Sequence, residues 1–144
     1  MTAADRPDRG FIDTNVVILL DRIDDPRVLP RQPMISAITL AELAVGPLAT
    51  DDPHEAALRQ VRLQEIEAAY EPIPFDDRAA RAFAQVSSDL RRSGRKVSAR
   101  SFDALLAASA ISRGVSITTT NPDDFAGIGG LDVRPVPHPE RTAD

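Results

Sequence analysis

The ends of the apolar segments constrain this chain most, because they carry carboxylates. Asp13 closes Phe11-Ile12-Asp13. Glu42 lies inside Thr39-Leu40-Ala41-Glu42-Leu43-Ala44. Asp103 opens Asp103-Ala104-Leu105-Leu106-Ala107-Ala108, and Asn121 and Asp124 follow Ile117-Thr118-Thr119-Thr120. An acid carried toward a core is tolerated only when it is paired or bound to a cation. Several such acids in a chain of 144 residues suggest a fold that gathers them around one divalent ion. The chain has no cysteine, so disulfides and thiolate metal sites are excluded. His54 and His138 lie far apart in the sequence and form no zinc-type spacing. Ligands drawn from what remains are oxygens, a donor set that favours Mg²⁺ or Mn²⁺.

The segments between those acids alternate in type. Gly10–Asp13 reads as a short buried strand, followed by a helix through Val16, Val17, Leu19 and Leu20 that Asp24-Asp25-Pro26 ends. Met34–Ala37 reads as a second strand, and Thr39–Val45 as a helix stopped by Gly46-Pro47. Asp52-Pro53-His54-Glu55 has the residues of a helix start: a cap, a proline at the first helical position and an acid in the first turn. Pro72–Phe75 is extended, and Asp76 caps a helix with a stripe at Ala79, Phe83, Val86 and Leu90 that ends near Gly94. An apolar helix over 101–112 is closed by Arg113-Gly114. Val115–Thr119 reads as a strand, and Val133–Val136 as an edge strand restrained by Pro135. Strands alternating with helices imply one α/β domain, a short central parallel sheet flanked by helices. The domain is expected over residues 10–137, with flexible tails at 1–9 and 138–144. In such sheets sites form beyond the carboxyl ends of the strands, where Asp13 and Asn121 fall.

The longest apolar run, Val16–Leu20, is too short to cross a bilayer, and the polar N-terminus lacks a signal-peptide core, so the cytoplasm is the expected location. The net charge of −5 argues against a general nucleic-acid coat. It leaves room for a nucleic-acid enzyme, since local patches decide contact.

Each candidate has a plain structural reading beside the chemical one. Asp13 can be an Asx turn or a helix cap, with Thr14 and Asn15 assisting. Thr39-x-x-Glu42 fits a capping box, although a helix flanked by Leu40, Ala41, Leu43 and Ala44 has little exposed face to stabilise that way. Asp103 can favour the positive end of a helix begun at Ser101. Yet among the residues from Phe102 to Ala110 only Ser109 is polar besides Asp103, so an acid at the mouth of this core helix is expected to have a dedicated partner. Asn121-Pro122-Asp123-Asp124 can be a turn that starts a helix. Arg91, Arg92, Arg95, Lys96 and Arg100 form a basic run just before Asp103, either a solvated helix end or a guide for a phosphate backbone. Gly127-Ile128-Gly129-Gly130 lacks the lysine of a phosphate loop and reads as a plain loop.

Taken together, Phe11–Asn15, Ser36–Gly46, Asp103–Ala110 and Thr119–Phe125, in this order and at this spacing, resemble the PIN-domain family, and within it the VapC toxins of type II toxin–antitoxin pairs. The match spans nearly the whole chain. The resemblance implies a Mg²⁺- or Mn²⁺-dependent endoribonuclease, a homodimer, and a cognate VapB-type antitoxin that masks the site. Asp13, Glu42 and Asp103 match the family's three main acids, with Asp13 and Asp103 as principal metal ligands. The fourth acidic position falls on Asn121, a departure for which Asp124 is the neighbouring acid. Thr14 and Thr119 match supporting hydroxyl positions.

Two other classes fit parts of the pattern. An aspartyl-phosphate enzyme with Asp13 as acceptor lacks the second acid, since position 15 is Asn15, and its single lysine, Lys96, sits in the basic loop. A non-catalytic binding module would use the same acids to receive basic side chains of a partner.

Overall fold

In the computed structural model, residues 5–139 are described. Four short strands form one parallel sheet: β1 (Arg9–Ile12), β2 (Gln32–Met34), β3 (Ser116–Thr119) and β4 (Val133–Pro135), in the order β2-β1-β3-β4. Five α-helices lie among the described residues: α1 (Thr14–Leu19), α2 (Ala37–Val45), α3 (Pro53–Ala69), α4 (Asp77–Arg92) and α5 (Ser101–Arg113).

Pleating decides the layers. Successive side chains of a strand point to opposite faces. Phe11 therefore joins Val86, Leu90, Ala104, Ala107 and Ile117 in a core under α4 and α5. Its neighbour Ile12 packs with Val16, Val17, Leu43, Leu63 and Ile66 under α1, α2 and α3. The small residues of α5 (Ala104, Ala107, Ala108 and Ala110, all fully buried) let that helix lie close to the sheet. Gly10 serves the same end between strands: a Cβ there would lie 2.3 Å from the Ser116 hydroxyl.

Boundaries differ from expectation where a cap or a strand partner intervenes. β1 starts at Arg9, inside the expected N-terminal tail, and the Arg6 guanidinium donates to the carbonyls of Leu29 and Pro26. The remaining parts of the two expected tails at 1–4 and 140–144 lie outside the described residues. β2 is Gln32–Met34 rather than Met34–Ala37, because Ile35 and Ala37 instead exchange hydrogen bonds with Ile73 of the Pro72–Phe75 segment. Helix α2 then begins at Ala37, with Ser36 as its cap, its hydroxyl accepting from the Ile38 amide at 3.0 Å. Asp52 and Asp76 cap α3 and α4 as read from sequence, and Gly114 ends α5 in the left-handed conformation with φ 65°. Among the described residues no helix is long and apolar enough to cross a membrane.

Candidate functional site

Asp13 and Thr119 stand side by side because β1 and β3 are adjacent and parallel, so their carboxyl ends fall at the same edge. Asp13, directly after β1, is buried and does two things at once. Its Oδ1 accepts from the Val16 amide at 3.0 Å, capping α1, and its Oδ2 accepts from the Thr119 hydroxyl. The same Thr119 oxygen accepts from the Asn121 amide at 3.0 Å, which ties the turn after β3 to the acid. The plain capping role and a role in the site are therefore both compatible with Asp13.

Glu42 is not part of a capping box. With Ser36 as cap, Thr39 is the third residue of α2 and Glu42 lies a turn further in. Its Oε1 accepts from the Thr14 hydroxyl at 2.9 Å, so the first residue of α1 aims it toward the edge that holds Asp13.

Asp103 sits in the first turn of α5, partly buried. Burial, followed by the charges of Asp124, Glu42 and Asp13, pushes its carboxyl up to about 6, against the opposing effect of Arg100. Burial also raises the carboxyl of Asp13, with Asp124 adding to it, and that of Glu42, with Asp13 adding to it. Asp103 therefore lies close enough to Asp13, Glu42 and Asp124, acids from three other places in the chain, to feel their repulsion. A divalent cation is the group that such an all-oxygen, mutually repelling set accommodates. Among the described residues no three such side chains form a ready-made metal cage.

The basic run is divided by the fold. Arg100 donates to Asp124 Oδ1 at 2.8 Å, and Arg95 to the Asp123 carbonyl at 2.8 Å, so both reach the turn after β3. Lys96 is exposed in the connecting loop. Arg91 and Arg92 are exposed on the last turn of α4, beside a groove lined also by Ala84, Ser87 and Ser88. The Asn121 side chain reaches only the Thr120 hydroxyl, at 3.4 Å. Asp124, whose charge raises both Asp13 and Asp103, is the acid of this turn that enters the cluster.

The sequence reading missed two residues. Arg59 and Arg62 of α3 line a cleft of about 300 Å³ together with Thr14, Ile18 and Glu42. Arg59 is held by Glu55 at 3.0 Å and by the Gly46 carbonyl at 2.9 Å. Their signal is the i, i+4, i+7 spacing of Glu55, Arg59 and Arg62, which places them on one face of α3 without saying what that face meets.

Residues 10–131 match the PIN domain family. The chain belongs to that family. Ribonuclease VapC5 of Mycobacterium tuberculosis is 38% identical over 126 residues, covering 86% of this chain and 90% of that protein. Ribonuclease VapC4 of the same organism is 31% identical over 127 residues, covering 87% and 95%. The crystal structure of VapBC-5 from Mycobacterium tuberculosis, a member of the VapBC family of toxin–antitoxin systems, superposes with a TM-score of 0.77 at 33% identity, covering 90% of this chain and all of that one. The chain is thus a PIN-domain protein of the VapC group, with the four-stranded parallel sheet and flanking helices expected of it.

Proposed function

We propose that this protein is a VapC-type endoribonuclease toxin that cleaves RNA phosphodiester bonds with a divalent cation, Mg²⁺ or Mn²⁺, and is neutralised by a VapB-type antitoxin. The observation that carries the reading is that Asp13, Glu42 and Asp124, from three other places in the chain, all act to raise the Asp103 carboxyl, and that Asp13 and Glu42 are themselves raised by acidic neighbours. The likeness to VapC ribonucleases and to a VapBC complex supports the substrate class and the partner.

Asp13 and Asp103 are the principal metal ligands in this reading, with Asp124 or Asn121 completing the set. A bound divalent cation supplies a water of lowered pKa and offsets charge on the phosphoryl oxygens. Thr119 fixes the Asp13 carboxylate from one side while the Val16 amide fixes it from the other. Thr14 orients Glu42, whose raised carboxyl suits it to take a proton from the attacking water. In this reading Arg100, paired with Asp124, receives a phosphate oxygen of the RNA, Arg95 reaches the same turn, and the exposed Lys96, Arg91 and Arg92 offer further backbone contacts. Assembly as a homodimer belongs to the same proposal.

The test is cleavage of single-stranded RNA by the purified protein with Mg²⁺, with EDTA, and with Asp13→Asn. Cleavage that survives both EDTA and Asp13→Asn removes the proposal. The reading of the acids as a receptor for a partner's basic side chains separates in the same experiment, since it expects no cleavage and no calorimetric response to Mg²⁺ or Mn²⁺.

A further inference from the structure

A second cavity lies at the opposite end of the sheet from the acids. It occupies about 250 Å³ beside Arg9 at the start of β1, Met34 of β2, the start of α4 and the end of α5. Met34 and Val115 contribute apolar lining, and the polar side chains are Arg9, Arg78, Arg113, Asp76 and Ser112. The four residues of β1 separate it from the acid site, roughly 13 Å along the strand from Arg9 to Asp13.

Charge is what makes this cavity unusual. Three arginines and one aspartate line it, an excess of two positive charges in a chain whose net charge is −5. The carboxylate is itself committed: Asp76 Oδ1 accepts from the Ala79 amide at 3.0 Å, capping α4. Its other oxygen lies 3.6 Å from an Arg113 nitrogen, beyond a good hydrogen bond. Asp77, next to it, is turned to Arg81 at 3.1 Å. The Ser112 hydroxyl donates to the Ser109 carbonyl, so its oxygen still has room to accept. The guanidinium groups of Arg9 and Arg78 make no hydrogen bond and no close ion pair among the described residues, while Asp76 feels the charge of Arg78 and accepts from its backbone amide. Arginines brought together from β1, α4 and α5 around one shared space carry more positive charge than the single Asp76 carboxylate balances, which favours an anion there. Their planar forks match the paired oxygens of a phosphate.

We propose that this cavity is a binding site for a phosphate group, held by Arg9, Arg78 and Arg113, and separate from the acid site. The phosphate is either a backbone phosphate of RNA or that of a free phosphorylated compound. Neither source requires the acids to be catalytic.

The test uses the whole protein stripped of divalent cations with EDTA, so that phosphate cannot bind through a metal. Inorganic phosphate is titrated at constant ionic strength against chloride, and the melting temperature is followed. Wild type and Asp13→Asn should be stabilised by phosphate alike. Arg78→Ala and the double variant Arg9→Ala/Arg78→Ala should lose at least two thirds of that response. Arg81→Ala, on the same helix but outside the cavity, should keep it. Arg78→Gln serves as a second variant should alanine disturb the start of α4. Fluorescence anisotropy with a short single-stranded RNA, in the Asp13→Asn background, then separates the sources. RNA affinity reduced threefold or more by Arg78→Ala, and not by Arg81→Ala, identifies an RNA phosphate. Unchanged RNA affinity with a lost phosphate response identifies a free phosphorylated compound. If neither the phosphate response nor RNA affinity depends on Arg9 and Arg78 more than on Arg81, the proposal is overturned. Loss of RNA cleavage in Asp13→Asn bears on the acid site alone.

Discussion

Thr119, the last residue of β3, donates its hydroxyl to the Oδ2 of Asp13, a residue 106 positions earlier in the chain. This single contact joins the two central strands at the edge where the acids meet. It also passes the constraint on to Asn121, whose amide donates to the same hydroxyl oxygen.

Thr119→Val keeps the shape and removes that hydroxyl. Asp13 Oδ2 and the Asn121 amide then lose their partner, which should cost about 1–3 kcal/mol of stability. RNA cleavage should fall about 10- to 100-fold, as when the group that orients a metal ligand is lost. Thr119→Ser, which keeps the hydroxyl, should restore most of the rate. Equal activity of the valine and serine variants in a cleavage assay would show that the hydrogen bond does not orient Asp13 for the reaction.

Ser36 and Glu42 test which residue caps α2. Ser36→Ala removes the bond to the Ile38 amide and should lower stability by about 1 kcal/mol in urea denaturation. Glu42→Gln leaves the cap untouched and should change stability little, while reducing cleavage by about 100-fold if Glu42 moves a proton. The reverse pattern, a destabilised but active Glu42→Gln protein, would return Glu42 to a capping role.

That exchange shows how far the sequence reading reached. The α/β class and each of the acids now seen near one another were legible, because carboxylates at the borders of apolar runs are unusual enough to stand out. The helix start at Ser36 was not. Ser36 and Thr39 are both good caps, and only the pairing of Ile35 and Ala37 with Ile73 decides between them. The division of the basic run was equally hidden. Arg100 reaches Asp124 across 24 positions, and Arg95 reaches Asp123 across 28, distances no local pattern spans. Arg59 and Arg62 lay on a legible helix face, but the cleft they share with Glu42 exists only once α1, α2 and α3 pack together.

Asp103 carries a stability prediction whose sign follows from its environment. Its carboxyl is raised from 3.8 to about 6, so the fold prefers the neutral form. The stability this group contributes is complete below about pH 4 and is lost as pH rises through 6. Without divalent cations, Asp103→Asn should therefore melt higher than wild type at pH 7.5, by about 5 °C or more, and close to wild type at pH 4. Mg²⁺ should raise the melting temperature of wild type at pH 7.5 and do much less for Asp103→Asn. Identical melting curves for the two proteins at pH 7.5 would mean that Asp103 is not strained by burial and by its acidic neighbours.

Arg100 and Asp124 should move the pH profile of cleavage in opposite directions. Asp103 must be ionised to hold a cation, so at subsaturating Mg²⁺ activity should rise with pH toward the region near 6. Asp124 raises the Asp103 carboxyl and Arg100 lowers it. Asp124→Asn should thus shift the acid limb of the profile to lower pH, and Arg100→Ala should shift it to higher pH. Arg100→Ala should also slow cleavage by about tenfold at low salt, with a smaller effect as ionic strength increases, because the lost attraction for RNA phosphate is screened. A merely structural Arg100–Asp124 pair predicts something else: both variants lose stability and activity together, at every pH and every salt concentration, with the acid limb unmoved. Measured profiles of kcat/KM for the two variants, taken at two salt concentrations, decide between these outcomes.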